Sequence, residues 1–266
     1  MARILLPTDF SEAALNASKF AFDLFGTTGN KFTLVHTFLK PSFDNALLPS
    51  LGDFPQREAI NRIRRVERKC RKYAGKVVLG RKVSTGSLVD LLNEMDQRKR
   101  VDMIVMGTQG EGNYGRVGGN TRSVVTGASA PVITVPAQWQ PVQVKRIMLA
   151  YDGGHLERTA VKPLLDLAER TGAAIVIAHV RSTKPTDDVK PDRGRIKELF
   201  AGVEHSFVSV QGDDVSDMID QLANEGRIQM VAVVHRQLGF WKGLFHSSKA
   251  KRMALHISTP LLVLSQ

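Results

Sequence analysis

The two halves of the chain open alike, and this repeat limits the possible folds more than any other feature of the sequence. Arg3-Ile-Leu-Leu-Pro-Thr-Asp9 is matched by Arg146-Ile-Met-Leu-Ala-Tyr-Asp152, an offset of 143. A helical pattern follows each. Ala14, Ala17, Phe20, Ala21 and Leu24 in the first half, and Ala160, Leu164, Leu167 and Ala168 in the second, are spaced largely as one face of a helix. Gly29 and Gly172 stand where those helices are expected to stop, because a left-handed cap suits glycine. The next strands read as Phe32-Thr-Leu-Val-His36 and Ala174-Ile-Val-Ile-Ala-His179. Asp9 to His36 and Asp152 to His179 are both 27 residues apart. Each half closes on a Pro-led apolar strand, Pro131-Val-Ile-Thr-Val135 and Pro260-Leu-Leu-Val-Leu264. The joint falls near Pro136 to Val144, giving expected domains 1–138 and 139–266.

Strands that alternate with helical patterns predict an α/β fold. Each half is expected to be a doubly wound domain, a five-stranded mainly parallel sheet with helices on both faces. In the first half strands are expected near 3–7, 32–38, 76–83, 102–106 and 131–135, and helices near 11–25, 56–74, 87–98 and 121–128. Ligands of such open sheets sit at the carboxyl ends of the strands. Asp9, Thr37 and Gly107 all fall at that edge, so residues distant in sequence can converge there.

One strand end stands out. The buried-type run Met103 to Met106 empties into a loop carrying Gly107, Gly110, Gly112, Gly115, Gly118 and Gly119. The loop closes on Asn120 and Thr121, either of which could cap a helix from about Arg122 to Ala128. Glycines let backbone N–H groups approach an anion, and a helix N-terminus adds its dipole. The segment therefore reads as a phosphate cradle. Gly110-Glu-Gly112-Asn-Tyr-Gly115 also matches a dinucleotide-type glycine pattern, but it follows the fourth strand rather than the first. No acidic residue lies around Ala130 to Val135 where a ribose contact would be needed, which argues against a nicotinamide cofactor. No P-loop and no nucleophile elbow are present.

Charge needs locating before it is interpreted. The formal net charge is +11, and Gln56 to Lys82 alone hold eleven Lys/Arg against two Glu. Ile60, Ile63, Val66, Cys70 and Tyr73 form an amphipathic stripe through that segment, which leaves the cations on the other faces. The segment reads as a basic helix surface, open to water or to an acidic protein partner. Apart from Tyr73 on the apolar stripe, no aromatic residues interleave the cations as base-stacking platforms, which argues against nucleic acid. A single cysteine and seven histidines without paired metal-ligand spacing offer no metal site. His36 and His179, at equivalent strand ends, read as structural residues. The N-terminus lacks a signal-type apolar region, and no apolar run approaches the roughly 20 residues needed to cross a bilayer, so a cytoplasmic protein without a membrane partner is expected.

Pro7-Thr-Asp-Phe-Ser-Glu12, His36, Val105-Met-Gly-Thr-Gln-Gly110 and the Pro131-Val-Ile-Thr-Val135 closing strand together resemble the universal stress protein family. The resemblance covers both halves, as in tandem-type members with two fused domains. It implies an adenine nucleotide alpha-hydrolase-like fold, one adenine-nucleotide site in the first domain, and a regulatory role under stress. ATP, ADP or AMP is the implied ligand, with Mg2+ as an accompanying ion. By the resemblance, Pro7, Thr8 and Asp9 lie at the ribose or adenine, the backbone near Thr37 reads the adenine edge, and Met106 packs on the base. Gly107 and Gly110 take phosphates with the loop's end. There two alignments leave open which of Gly118, Gly119 and Asn120 donates, while Thr121 supplies a hydroxyl under both. No catalytic residue is implied. Family members often pair through their last strands, so a pseudo-dimer within the chain or a homodimer is expected.

The second half departs from this pattern. His235 stands where Gly107 was and Leu238 where Gly110 was, so that half reads as a degenerate domain without the cradle. Phe240, Trp241, Leu244 and Phe245 are expected to fill the vacated space. The segment from Pro41 to Pro55 reads as an apolar loop, a lid on the nucleotide or a seal on the other domain. Two other readings compete with nucleotide sensing. One is a slow ATPase or nucleotide-transfer enzyme using Asp9 and Thr121; the other is a nucleotide-free interaction module working through the basic helix.

Overall fold

The computed structural model of the chain describes residues 1–39, 54–108, 118–151, 153–181, 192–211, 221, 225, 227–235 and 259–265. They form two compact units, Met1–Ala137 and Gln138–Gln266.

In the first unit the strands are β1 (Arg3–Pro7), β2 (Lys31–Phe38), β3 (Val78–Thr85), β4 (Met103–Gly107) and β5 (Val132–Val135). They lie in the order β3-β2-β1-β4-β5, every neighbouring pair parallel. The connecting helices are α1 (Glu12–Phe25), α2 (Phe54–Ala74), α3 (Leu88–Arg98) and α4 (Gly119–Gly127). Right-handed crossovers send α1 and α2 to one face and α3 and α4 to the other. The helix contacts agree, because α1 packs on α2 and α3 on α4. The sheet is covered on both sides, so its strands carry unbroken apolar runs rather than alternating ones. Met103 to Gly107 are all buried, as are Ile4, Leu5 and Leu6. Phe20, Phe32, Leu34, Ile63 and Leu92 fill the space between layers at 1% exposure or less. Each large side chain buried in this way stabilises the fold by about 1.5–3 kcal/mol.

The second unit repeats the winding with β6 (Arg146–Tyr151), β7 (Ala174–Arg181), β8 (His205–Gln211), β9 (Met230–His235) and β10 (Leu261–Ser265). Its strand order, β8-β7-β6-β9-β10, is that of the first unit term by term. Even the register repeats: Arg3 faces Lys31 and Arg146 faces Ala174, both pairs shifted by 143. The shift falls to 127 at the next strand, where Ile4 faces Met103 and Ile147 faces Met230. Much of that difference sits in one helix. α2 has 21 residues, and its counterpart α6 (Arg193–Leu199) has 7. The remaining described helix, α5 (Arg158–Thr171), packs against β9 and β10.

Three local expectations are corrected. α1 ends at Gly26, with φ +70, and Gly29 lies in the following turn at φ +74. Chain reversal there needs two positive-φ residues, and only the second was read as the stop. Tyr73 is 42% exposed, and its hydroxyl donates to Asp23 Oδ2 at 2.8 Å instead of entering the core. Ala59 takes the buried position of that stripe, beside Ile63, Val66 and Cys70. The third correction concerns α4 and belongs to the site.

Candidate functional site

The carboxyl ends of β1, β2 and β4 and the N-termini of α1 and α4 enclose a cleft of about 290 Å3. Its walls are Pro7, Thr8, Asp9, Ala14, His36, Thr37, Leu88, Met106, Gly107, Gly118, Gly119, Asn120 and Thr121. Every residue expected at the site from sequence is among them except Gly110, which lies outside the described residues together with 109–117. Ala14, His36 and Leu88 were not anticipated as walls. Ala14 sits in the first turn of α1, and Leu88 opens α3 directly after its Ser87 cap.

The turn after β1 is tightly organised. Thr8 N–H donates to Val35 O at 2.8 Å, which continues the β1–β2 ladder by one residue. Asp9 Oδ1 accepts from Ser11 N–H at 3.0 Å and Ser11 Oγ–H at 2.6 Å. Ser11 Oγ in turn accepts from Ala14 N–H at 3.2 Å, capping α1. These bonds hold Asp9, which is half-buried, at the mouth of the cleft. Between Asp9 and Ser11, Phe10 adopts φ +73, a left-handed conformation rare for a bulky residue. Its N–H donates to Thr8 Oγ1 at 3.0 Å. Its ring lies 4.2 Å from that of His36, and the Arg62 guanidinium sits 4.4 Å from the ring centre.

His36 is both structural and part of the cleft wall. Its Nδ1 lies 2.7 Å from Thr8 O, a carbonyl that only accepts, so Nδ1 carries the proton and donates. Burial holds its pKa below the usual histidine value. The bond to Thr8 and the charge of Asp9 work against that shift, and the charge of Arg62 adds to it. Neutral His36 therefore presents Nε2 as an acceptor.

On the other side of the cleft, Gly107 ends β4 against α1. A β-carbon there would meet the carbonyl carbon and oxygen of Ala13 at 3.0 Å, so close packing of strand on helix demands glycine. Gly119 differs, since a β-carbon on it would meet nothing within 4 Å. The chain leaves β4 at Thr108, whose N–H donates to Val135 O at 3.0 Å. It returns at Gly118, whose N–H donates to Thr108 O at 3.1 Å. α4 then starts at Gly119, with Gly118 as its cap residue and no side-chain hydrogen bond to its first turn. Neither Asn120 nor Thr121 caps it. Thr121 occupies the third helical position and donates its hydroxyl to Gly107 O at 3.0 Å, so it ties the helix to the strand end. The helix dipole and its opening amides face the cleft, and among the described residues no side chain caps them.

In the second unit the counterpart elements are partly described, and the β4–β9 shift of 127 puts Val234 rather than the expected His235 in the place of Gly107. Asp152, Leu238, Phe240, Trp241, Leu244 and Phe245 lie outside the described residues, as do residues 40–53 of the expected apolar loop. Among the described residues no helix is long and apolar enough to cross a membrane.

Comparison with known proteins supplies the family. The universal stress protein family model matches residues 1–136 and again 143–265. A universal stress protein of Mycolicibacterium smegmatis is 27% identical over 189 residues, 64% of this chain and 63% of that protein. The chain thus matches less than two thirds of the length of that relative. Two solved structures share the whole fold. A universal stress protein from Archaeoglobus fulgidus has a TM-score of 0.68 at 16% identity, over 99% of this chain and 96% of that one. A protein of unknown function from Pseudomonas aeruginosa PAO1 has a TM-score of 0.60 at 14% identity, over 100% and 92%. With the family matched twice along its length, the chain belongs to the universal stress protein family and carries two of its domains in tandem.

Proposed function

We propose that this chain is a stress-response regulatory protein that binds one adenine nucleotide, ATP, ADP or AMP, in the cleft of its first domain. The observation that carries this reading is the pairing of an α4 N-terminus that no side chain caps among the described residues with the Asp9 carboxylate held at the end of β1. Opening amides and a helix dipole suit phosphate. Asp9, fixed by Ser11, suits ribose hydroxyls, which donate to a carboxylate. Met106 and Leu88 supply apolar walls for a base between those ends, and Thr37 lies where backbone groups can meet the base edge. The open space at Gly119 leaves room for a phosphate against the backbone. Mg2+, if bound with the nucleotide, would offset phosphate charge, and Asp9 is the carboxylate of the cleft that would help to hold it.

The reading is one of binding and signalling, with occupancy altering the conformation or partner choice of the chain inside the cell. The degenerate second domain supports the first or mediates pairing within the chain or between copies.

Mass spectrometry of small molecules released by acid from the freshly purified chain tests the proposal. ATP, ADP or AMP near one per chain is expected, and titration of the stripped chain with ATP should show one site. A stripped chain that binds no adenine nucleotide would overturn the reading.

A further inference from the structure

The basic helix is built differently from an ordinary solvated surface. Projected at 3.6 residues per turn, Arg57, Asn61, Arg64, Arg65, Arg68 and Lys72 fall within an arc of about 100°. That arc lies opposite the buried Ala59, Ile63, Val66 and Cys70. All six are exposed, and the arc holds no acidic residue. The ridge runs for about 22 Å at 1.5 Å per residue. Exposed Glu58 borders the arc near its N-terminal end, and two other nearby acids are engaged on its flanks. Glu67 is held by Arg71 at 2.9 Å and Arg81 at 3.0 Å, and Glu12 by Lys69 at 2.7 Å. Arg64, Arg65, Arg68 and Lys72 form no ion pair among the described residues.

Such a ridge works against its own helix. Arg64 with Arg68, and Arg68 with Lys72, are like charges four residues apart, which destabilise a helix where a Glu–Lys pair would support it. Nor does the fold require it, since the second unit makes the same crossover with the 7-residue α6. β3, against which α2 packs, is the outer strand of its sheet, so the ridge lies at the domain margin.

We propose that the outward ridge of α2 is a docking surface for an acidic protein segment. Four arginine forks and one lysine in a single row match carboxylates spaced along an extended or helical acidic peptide. Nucleic acid fits less well. The arc carries no aromatic side chain on which bases could stack, and a single row does not straddle a duplex groove. None of the six ridge residues lines the cleft.

The test is fluorescence anisotropy of a labelled oligoglutamate peptide with the full chain, repeated as salt is raised. The expected result is salt-weakened binding that falls about tenfold in the Arg64→Gln/Arg68→Gln double variant. Lys99→Gln/Arg100→Gln, which removes the same charge from exposed positions after α3, should leave affinity nearly unchanged. The ridge variant should melt no lower than wild type, because the substitution relieves repulsion. Should it misfold, Arg57→Gln/Lys72→Gln at the two ends of the ridge replaces it. Absence of binding, or an equal loss in both double variants, overturns the proposal. So does tighter, equally ridge-dependent binding of an oligothymidylate of matched charge, which would assign the ridge to nucleic acid.

Discussion

The segments after β1 and after β6 share a left-handed residue at equivalent positions but surround it with different chemistry. Phe10 has φ +73 and its counterpart Gly153 has φ +85. Glycine takes that bend freely, whereas phenylalanine does so at a cost of about 1–2 kcal/mol. In the first unit the cost is offset by the tilted ring contact with His36 and the overlying Arg62. Ser11 caps α1 there, while α5 begins at Glu157 without a side-chain cap. Where the first unit has the small Thr8, the second has Tyr151, which is 6% exposed and donates its hydroxyl to Gly154 O at 2.7 Å. His36 lines a cleft, but His179 is 1% exposed, with Tyr151 and Phe207 beside it. The ends of β1 and β2 thus put His36 on a cleft wall, whereas the ends of β6 and β7 bury His179 and Tyr151. The lesson is that a repeated backbone does not imply a repeated site.

Substitutions can break this contrast. The largest effect is expected at Gly107→Val. A side chain driven into the Ala13 carbonyl at the packed end of β4 should cost about 1–3 kcal/mol or more, read as a lower denaturant midpoint. Gly119→Asp should separate binding from folding. Open space and the helix dipole favour the carboxylate by about 0.3–1 kcal/mol, so melting should hold or rise. Adenine-nucleotide affinity in calorimetry should nevertheless collapse, and retained affinity would remove the α4 terminus from the site. Gly153→Phe imports the first unit's residue without its partners. A loss of about 1–2 kcal/mol is expected, and a neutral result would show that the bend itself carries little strain.

The smallest effect concerns pH. Because the folded-state pKa of His36 lies below its ordinary 6.5, the unfolded chain binds the proton more readily. Stability should therefore fall as pH drops through about 6.5 towards the folded value. His36→Asn should flatten that part of the melting-temperature profile.

Much of the fold could be read from particular residues. Arg3 and Arg146 begin strands in equivalent register, and the Pro-led apolar runs at Val132 and Leu261 are the last strands of their sheets. Apolar runs buried on both faces leave a strong signal. The site edge was less legible. α4 starts at Gly119, and Gly118-Gly-Asn-Thr121 offers two plausible side-chain caps that the helix does not use, because Thr121 turns instead to Gly107 O. His36 was read only as structural because nothing in sequence shows that a residue satisfied by Thr8 O can also form a wall. Tyr73 matched the apolar spacing of α2, but its hydroxyl and the nearby Asp23 draw it to the surface.

The bond from Gly118 N–H to Thr108 O has a consequence for how such a chain can change over time. It fastens both ends of the loop at its base, with Thr108 anchored to β5 and Gly118 to the start of α4. The residues between those ends can be lengthened, shortened or exchanged without shifting either anchor, because loop length enters stability only weakly. Changes in the sequence between the two anchors can therefore accumulate while the sheet and α4 stay as they are.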